Sequence, residues 1–253
     1  MTIFYFTSTG NSLAVAKRIG GNLISIPQII SDLKPEYKDD AIGVVFPVYG
    51  FFIPKMARRF LAETKLSANY TFAIGTYGNM PGACMRNVQK YALDHGNRID
   101  YAESLLMVDN YLPNFEIADQ IAKLPKKNPE ENLKRIIADI EAQKKLEATA
   151  SLLWRLFTSA IAAAEKAWAK DTQAQSYILN KDCVSCGICA KICPAGNISV
   201  TDKVQFGSNC EWCLGCVHLC PKNAIHLKNE KSAERWRNPE VSLKEIIAAN
   251  NRI

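Results

Sequence analysis

Long apolar runs, an export leader and the glycine-rich signatures of nucleotide-binding folds are all missing from this chain of 253 residues, and each absence closes off a class of function. Met1 opens directly into the strand-like run Thr2-Ile3-Phe4-Tyr5-Phe6 with no basic stretch ahead of it, so a secreted, disulfide-stapled chain is not expected. The most apolar helical stretch, residues 151–170, is broken by Arg155, Glu165 and Lys166. Its longest uncharged run falls well short of the roughly 20 residues that a membrane span needs. Neither Gly-x-Gly-x-x-Gly nor a phosphate loop ending in Gly-Lys-Ser/Thr occurs, which argues against a dinucleotide fold and a nucleotidase. The net charge of +6 comes from scattered lysines and arginines with no stripe interleaved with aromatics, so nucleic acid is not an expected partner.

Cysteine is scarce everywhere except in one tract. Eight of the nine cysteines fall within residues 183–220, leaving only Cys84 outside, on an apolar helical face where it reads as a core thiol. The tract holds one phrase twice. Cys183, Cys186, Cys189 and Cys193-Pro194 recur 27 residues later as Cys210, Cys213, Cys216 and Cys220-Pro221. A zinc site draws its four ligands from two close pairs, whereas each phrase offers three close cysteines and a distant fourth. Three thiolates spaced by two residues wrap one face of a cubane, and the terminal Cys-Pro of each phrase serves the other phrase's cluster. One [4Fe-4S] cluster is therefore expected on Cys183, Cys186, Cys189 and Cys220, and the other on Cys210, Cys213, Cys216 and Cys193. Residues 176–228 resemble the bacterial two-cluster ferredoxins, whose fold is small and α+β.

The residues ahead of the cysteines are numerous enough for a second domain with its own core. Their opening strand leads into Thr7-Ser8-Thr9-Gly10-Asn11-Ser12 and then into a helix. Such a turn aims amides and hydroxyls at one spot, where the helix dipole favours an anion. Thr7-Ser8-Thr9-Gly10 resembles the Thr-x-Thr-Gly phosphate loop of flavodoxins. Strand-like runs at Thr2–Phe6, Leu23–Ile26, Ala41–Phe46, Tyr70–Gly75 and Ser104–Val108 alternate with helical patterns, which predicts a doubly wound parallel α/β sheet. In such sheets ligands sit beyond the carboxyl ends of the strands. The resemblance, which spans residues 1–147, implies the strand order 2-1-3-4-5 and bound FMN. It also implies that two loops flank the flavin ring: Pro47-Val48-Tyr49-Gly50-Phe51, running on to Pro54, and Thr76-Tyr77-Gly78-Asn79, running on to Gly82. Tyr49 and Tyr77 are the candidates for the ring faces, and Gly50 suits a backbone flip toward the ring because glycine tolerates positive φ. The acidic residues common in such loops are missing here, which leaves the flavin potentials open.

The expected organisation is therefore a flavodoxin-like domain (1–147), an amphipathic helical linker (148–175), a two-cluster ferredoxin domain (176–228) and a C-terminal segment (229–253) with a short docked helix. Residues 109–127 look like a loop that covers the flavin edge, docks the ferredoxin part or simply connects. The apolar stripe of 151–170 suits packing inside the chain or against a second copy in a homodimer. Two cubanes at about −2 each and a flavin phosphate at up to about −2 bring the total charge near zero. The Lys126-Lys127 and Lys144-Lys145 pairs read as solvated faces that can steer an acidic redox partner. His218, between two cluster cysteines, is a candidate donor to a sulfur.

The functional expectation is a cytoplasmic electron carrier, of the kind found in anaerobes, that relays electrons between two [4Fe-4S] clusters and FMN for redox partner proteins. The rival is a flavin-dependent reductase acting on its own small acceptor. An enzyme needs a positioned acid or base, and the two ring loops contain no His, Asp, Glu, Lys or Arg, so no catalytic residue is assigned. Asp109 and Arg86 are the nearest candidates.

Overall fold

Five apolar segments of the N-terminal half pair side by side in the computed structural model, which describes residues 1–168 and 176–252. The first elements are β1 (Thr2–Tyr5), α1 (Asn11–Ile19), β2 (Asn22–Ser25), α2 (Ile26–Ile29), β3 (Glu36–Lys38), β4 (Ala41–Pro47) and α3 (Lys55–Glu63). There follow β5 (Lys65–Ser67), β6 (Tyr70–Tyr77), α4 (Cys84–Asp94), β7 (Tyr101–Leu106), α5 (Ile117–Ala122), α6 (Leu124–Lys127) and α7 (Pro129–Glu141).

The main sheet is parallel throughout and runs β2-β1-β4-β6-β7. Without the short β3 and β5, which pair only with each other, this is the flavodoxin-like order 2-1-3-4-5. Helices cover both faces, which is why the central strands read as unbroken apolar runs. Ile3, Tyr5, Val45, Phe72 and Ile74 meet α1 and α7 on one face. Phe4, Phe6, Val44, Phe46 and Ala73 meet α3 and α4 on the other. Cys84 belongs to the second layer, and burial pushes its thiol up to about 12.

Some details depart from the expected map. The last strand begins at Tyr101 rather than Ser104, because Asp100 fixes the register first. Its carboxylate accepts from the Thr71 amide and hydroxyl, and its own amide donates to Thr71 O. The pair β3 and β5, Glu-Tyr-Lys against Lys-Leu-Ser, is too short and too polar to carry a period-2 signal.

The second half holds α8 (Leu152–Trp168), β8 (Tyr177–Leu179), α9 (Ile188–Lys191), β9 (Ile198–Val200), β10 (Val204–Phe206), α10 (Gly215–His218), β11 (Ile225–Leu227) and α11 (Leu243–Asn250). Strands β8 with β11 and β9 with β10 form two small antiparallel ribbons around the cysteine loops. The start of α8 packs through Trp154 and Phe157 against Phe51, while Leu152, Leu153 and Leu156 face outward. The expected stripe is thus only partly covered by this chain. The side chains of Ala164, Ala167 and Trp168 and the linker residues 169–175 lie outside what the structure describes. Among the described residues no helix is long and apolar enough to cross a membrane. Helix α11 starts with a capping box in which Ser242 and Glu245 exchange hydrogen bonds.

Candidate functional site

The cysteine repeat is a repeat of backbone shape as well as of sequence. Left-handed residues recur at the same 27-residue interval: Ser185 and Trp212, Gly187 and Leu214, Gly196 and Asn223. These turns curl the loops so that amides point at sulfurs. The amide of Asn197 donates to Cys193 Sγ and that of Ala224 to Cys220 Sγ, each at 3.3 Å. Trp212 N donates to Cys210 Sγ at 3.3 Å, and the Tyr177 hydroxyl lies 3.4 Å from the same sulfur. Such contacts shift electron density at a cluster and with it the potential.

The eight cysteines divide between two cavities. Cys183, Cys186, Cys189 and Cys220 line one. Cys193, Cys210, Cys213 and Cys216 line the other. Among the described residues no three Cys, His, Asp or Glu side chains converge tightly enough to hold a single metal ion. Each tetrad instead joins three soft thiolate donors of one phrase to the last cysteine of the other, the donor set of a cubane rather than the two close pairs of a zinc site. The first cage has an exposed lip at Cys186. His218 donates to neither cage. It is buried between Asn110 O (2.8 Å) and the Trp236 amide (3.1 Å), and burial holds its imidazole down to about 4.

The turn between β1 and α1 is buried from Thr7 to Gly10. Gly10 caps α1 in a left-handed conformation (φ 104°), and the helix has no side-chain cap. The amides from Ser8 to Ser12 donate to no other backbone carbonyl among the described residues. Buried Thr7 Oγ1 has no hydrogen-bond partner. Ser8 Oγ accepts from the Tyr49 hydroxyl (2.9 Å) and Thr9 Oγ1 from Asn110 Nδ2 (2.6 Å), so each keeps its own proton to donate. Ser12 pairs with Thr76 at 2.8 Å, and Asn11 is held by Val108 O and by Asn238. Unused amides, free hydroxyl protons and an orphaned buried oxygen at a helix start are the chemistry of a phosphate site.

The two expected ring loops stand next to each other, joined by Val48 N to Thr76 O at 2.8 Å. Tyr49 and Phe52 exchange both backbone hydrogen bonds across a two-residue turn, with Gly50 (φ 55°) and Phe51 (φ 77°) both left-handed. Glycine meets that demand cheaply, but phenylalanine does not. Phe51 is held there by the backbone of Gly82, where a Cβ would lie 2.8 Å from its ring, and by Trp154 and Phe157 of α8. Tyr49 turns toward the phosphate loop and the second cysteine cage. Burial and the neighbouring Cys213 push its phenol well above the usual range. Tyr77, at the end of β6, has Ser104 and Glu103 beside its phenol. Pro47 pairs with Thr76 at the strand ends, and Gly78 follows Tyr77 at the rim of this loop. Lys127, expected as part of a solvated face, is half-buried against this rim and donates to Gly78 O at 2.7 Å. A lysine pair in a polar stretch carries no sign of that in the sequence.

The two sites share a boundary. A Cβ on Gly215 would lie 3.6 Å from Ser8 Cβ and 3.8 Å from Cys213 Sγ, so the phosphate loop and the second cage meet across a glycine. Glu211, between two cage cysteines, accepts from the amides of Lys55 and Met56 at 2.9 Å each and so caps α3 of the other domain. Ile192 and Leu219, equivalent in the repeat, both insert into the α1 and α7 side of the sheet core. The loop after β7 docks here as well, through Lys231 N to Leu112 O (2.9 Å) and Ile117 N to Ser232 Oγ (3.3 Å). Replacing Glu211 with Ala leaves two helix amides, that of Met56 buried, without a cap, an expected loss of about 1–2 kcal/mol. Hydrogen exchange at Lys55 and Met56 measures it. Unchanged protection there would show that Glu211 does not hold the interface.

Residues 177–199 match the family of 4Fe-4S binding domains. The polyferredoxin MvhB of Methanothermus fervidus is 42% identical over 52 residues, 19% of this chain. A ferredoxin-like protein from the nif region of a Nostoc species is 33% identical over 42 residues, 17% of this chain. The matches span only 12% and 36% of the lengths of those two relatives. A flavoprotein of Bacteroides uniformis superimposes on 42% of this chain and 88% of its own, at 15% identity and a TM-score of 0.33. Two-electron reduced flavodoxin of Megasphaera elsdenii does so over 53% of this chain and 98% of its own, at 19% identity and a TM-score of 0.25. The strand order, and not these superpositions, defines the first domain. The chain joins a flavodoxin-like parallel sheet to a cysteine-rich 4Fe-4S domain of the ferredoxin kind.

Proposed function

We propose that this protein is an electron carrier that relays electrons between two [4Fe-4S] clusters and FMN on behalf of redox partner proteins. The observation that carries this reading is the shared boundary at Gly215, where Ser8 of the phosphate loop and Cys213 of the second cage approach one point. FMN supplies a centre that takes up two electrons and can be filled one at a time. The chain's own residues provide the rest. Thr7 Oγ1, the hydroxyls of Ser8 and Thr9 and the amides from Ser8 to Ser12 would hold the phosphate. Pro47 to Phe51 and Thr76 to Gly82 would frame the ring. The two cysteine tetrads would hold the clusters, and the amides of Asn197, Ala224 and Trp212 would tune them. Glu211, Ile192 and Leu219 fix the second cage against the phosphate loop, so no domain motion is needed to bring the sites together. With both clusters held by these cysteines, the first cage, exposed at Cys186, would face a partner protein and the second would lie beside the flavin domain.

Eight cysteines must stay reduced thiolates to hold two clusters, which suits a reducing compartment, and we place the chain in the cytoplasm. The test is an anaerobic titration of the purified holoprotein with NADH, then NADPH, then dithionite, followed in the flavin and cluster absorbance. A carrier stays oxidised with both nucleotides and is reduced fully by dithionite. Rapid bleaching by a nucleotide would overturn the carrier and favour a reductase with its own acceptor.

A further inference from the structure

The ring loops contain no charged residue of their own, yet the fold brings two charges to their rim from elsewhere in the chain. Lys127, the last residue of α6, donates from Nζ to Gly78 O at 2.7 Å and to Met107 O at 3.0 Å, with Gln120 Oε1 at 3.5 Å. Asp109, just after β7, packs on the same glycine. Any Cβ on Gly78 would overlap Asp109, so Gly78 is glycine because that side chain packs on it. The Asp109 carboxylate accepts from the Tyr111 amide at 3.0 Å. Both groups are half-buried and near enough to attract one another. Burial pulls the ammonium down and the carboxyl up, while their mutual attraction works against both shifts.

A lysine in a solvated pair makes no such contacts. Here three protein oxygens hold the ammonium, and two of them are main-chain carbonyls at the ends of β6 and β7. The charge therefore has a fixed position against the Thr76–Gly82 loop, in surroundings where charges are weakly screened. Reduction adds negative charge to a flavin ring. A fixed cation beside the ring loop favours that change, and a fixed anion disfavours it.

We propose that Lys127 and Asp109 are a positioning pair that sets the reduction potential of the ring site, Lys127 raising it and Asp109 lowering it. The proposal rests on the FMN reading above and deepens it. The two residues act through the ring loop, so neither needs to touch the ring.

The experiment uses the full-length holoprotein with FMN and measures two quantities for each variant: the affinity for oxidised FMN and the midpoint potential of the bound flavin. Lys127→Gln removes the charge and keeps a donor. It is expected to weaken the binding of reduced relative to oxidised flavin about tenfold, a drop of about 30 mV for a two-electron couple. Asp109→Asn is expected to move the potential upward, and Lys127→Arg to hold it near the native value. Opposite shifts from the two neutralising variants are the signature of charge, because simple loosening of the loop would move both in the same direction. Shifts of the same sign would overturn the proposal, as would potentials within threefold of native, in binding ratio, while FMN stays bound. A native chain that takes up no FMN would overturn the flavin reading itself.

Discussion

Replacing Cys220 with Ala is expected to remove the cluster built on the first cysteine phrase and to spare the one built on the second, although Cys220 belongs to the second phrase. Cys220 shares its cavity with Cys183, Cys186 and Cys189, while its own phrase-mates Cys210, Cys213 and Cys216 face the cavity of Cys193. The crossing is a consequence of the backbone. Each phrase ends in a short helix, α9 or α10, that carries its last cysteine away from the loop holding the first two. Asn197 and Ala224 then fix those last sulfurs from the far side. The expected result is loss of about half the iron and acid-labile sulfide, since each cubane draws on four thiolates. Reduced-state EPR should lose the signal of one cluster, and flavin content should stay unchanged. Cys193→Ala is the mirror experiment with a different consequence. The cage it damages is separated from Ser8 only by Gly215 and carries Glu211, so that variant should lose stability and flavin affinity as well. Loss of the second cluster alone in Cys220→Ala would reverse the ligand assignment. Equal damage to flavin binding by both cysteine variants would contradict the placement of the second cage beside the phosphate loop.

What the sequence displayed and what it hid divide along a physical line. Apolar runs such as Ala41–Phe46 declared buried parallel strands because only a doubly covered sheet supports them, and their alternation with helices pointed to a parallel sheet, whose observed strand order is the one that the flavodoxin resemblance implied. The cysteine phrases were legible because the spacing itself is the chemistry. Polar residues that act across the fold gave no such sign. Lys127 sits in a Lys-Lys pair that looks like ordinary surface, and only the turn after α6 points it at Gly78. Asn238 and Asn250, more than 200 residues from the phosphate loop, reach Thr9 O and Thr7 O. No local pattern encodes a contact of that range. His218 misled for the opposite reason: its neighbours in sequence are cluster cysteines, but its partners in space are Asn110 and Trp236. The loop from Asp109 to Lys127 had three open readings. It docks the ferredoxin domain, because Leu112 and Ile117 are buried with Leu214 and Val217.

Flavin binding should fail in Gly10→Val while both clusters survive. At φ 104° a β-branched residue is strained by at least about 1–2 kcal/mol before any contact is counted. An ideal Cβ at Gly10 would also lie 3.0 Å from the Cβ atoms of Asn238 and Val241, so the segment covering the loop must shift. That segment is tied down by Asn238 N to Thr9 O at 2.8 Å and by Asn250 Nδ2 to Thr7 O at 3.0 Å. The loop is therefore squeezed between its own strain and a fixed cover. We expect FMN affinity to fall by about a hundredfold or more, which corresponds to about 3 kcal/mol, with iron content unchanged. Such a variant also destabilises the domain, and a companion separates the two effects. Thr7→Val keeps the shape of the side chain and deletes the one buried loop hydroxyl that has no protein partner. Removing an unsatisfied buried oxygen costs the folded apoprotein nothing and relieves a desolvation penalty, so thermal stability without FMN should hold or rise. Affinity for FMN should nevertheless drop about tenfold, the worth of a hydrogen bond to a charged group. A loop that merely caps α1 predicts the reverse: no change in FMN uptake for Thr7→Val, and for Gly10→Val a loss that follows stability alone. Measured side by side, the two variants decide whether residues 7–12 are a turn or a phosphate site.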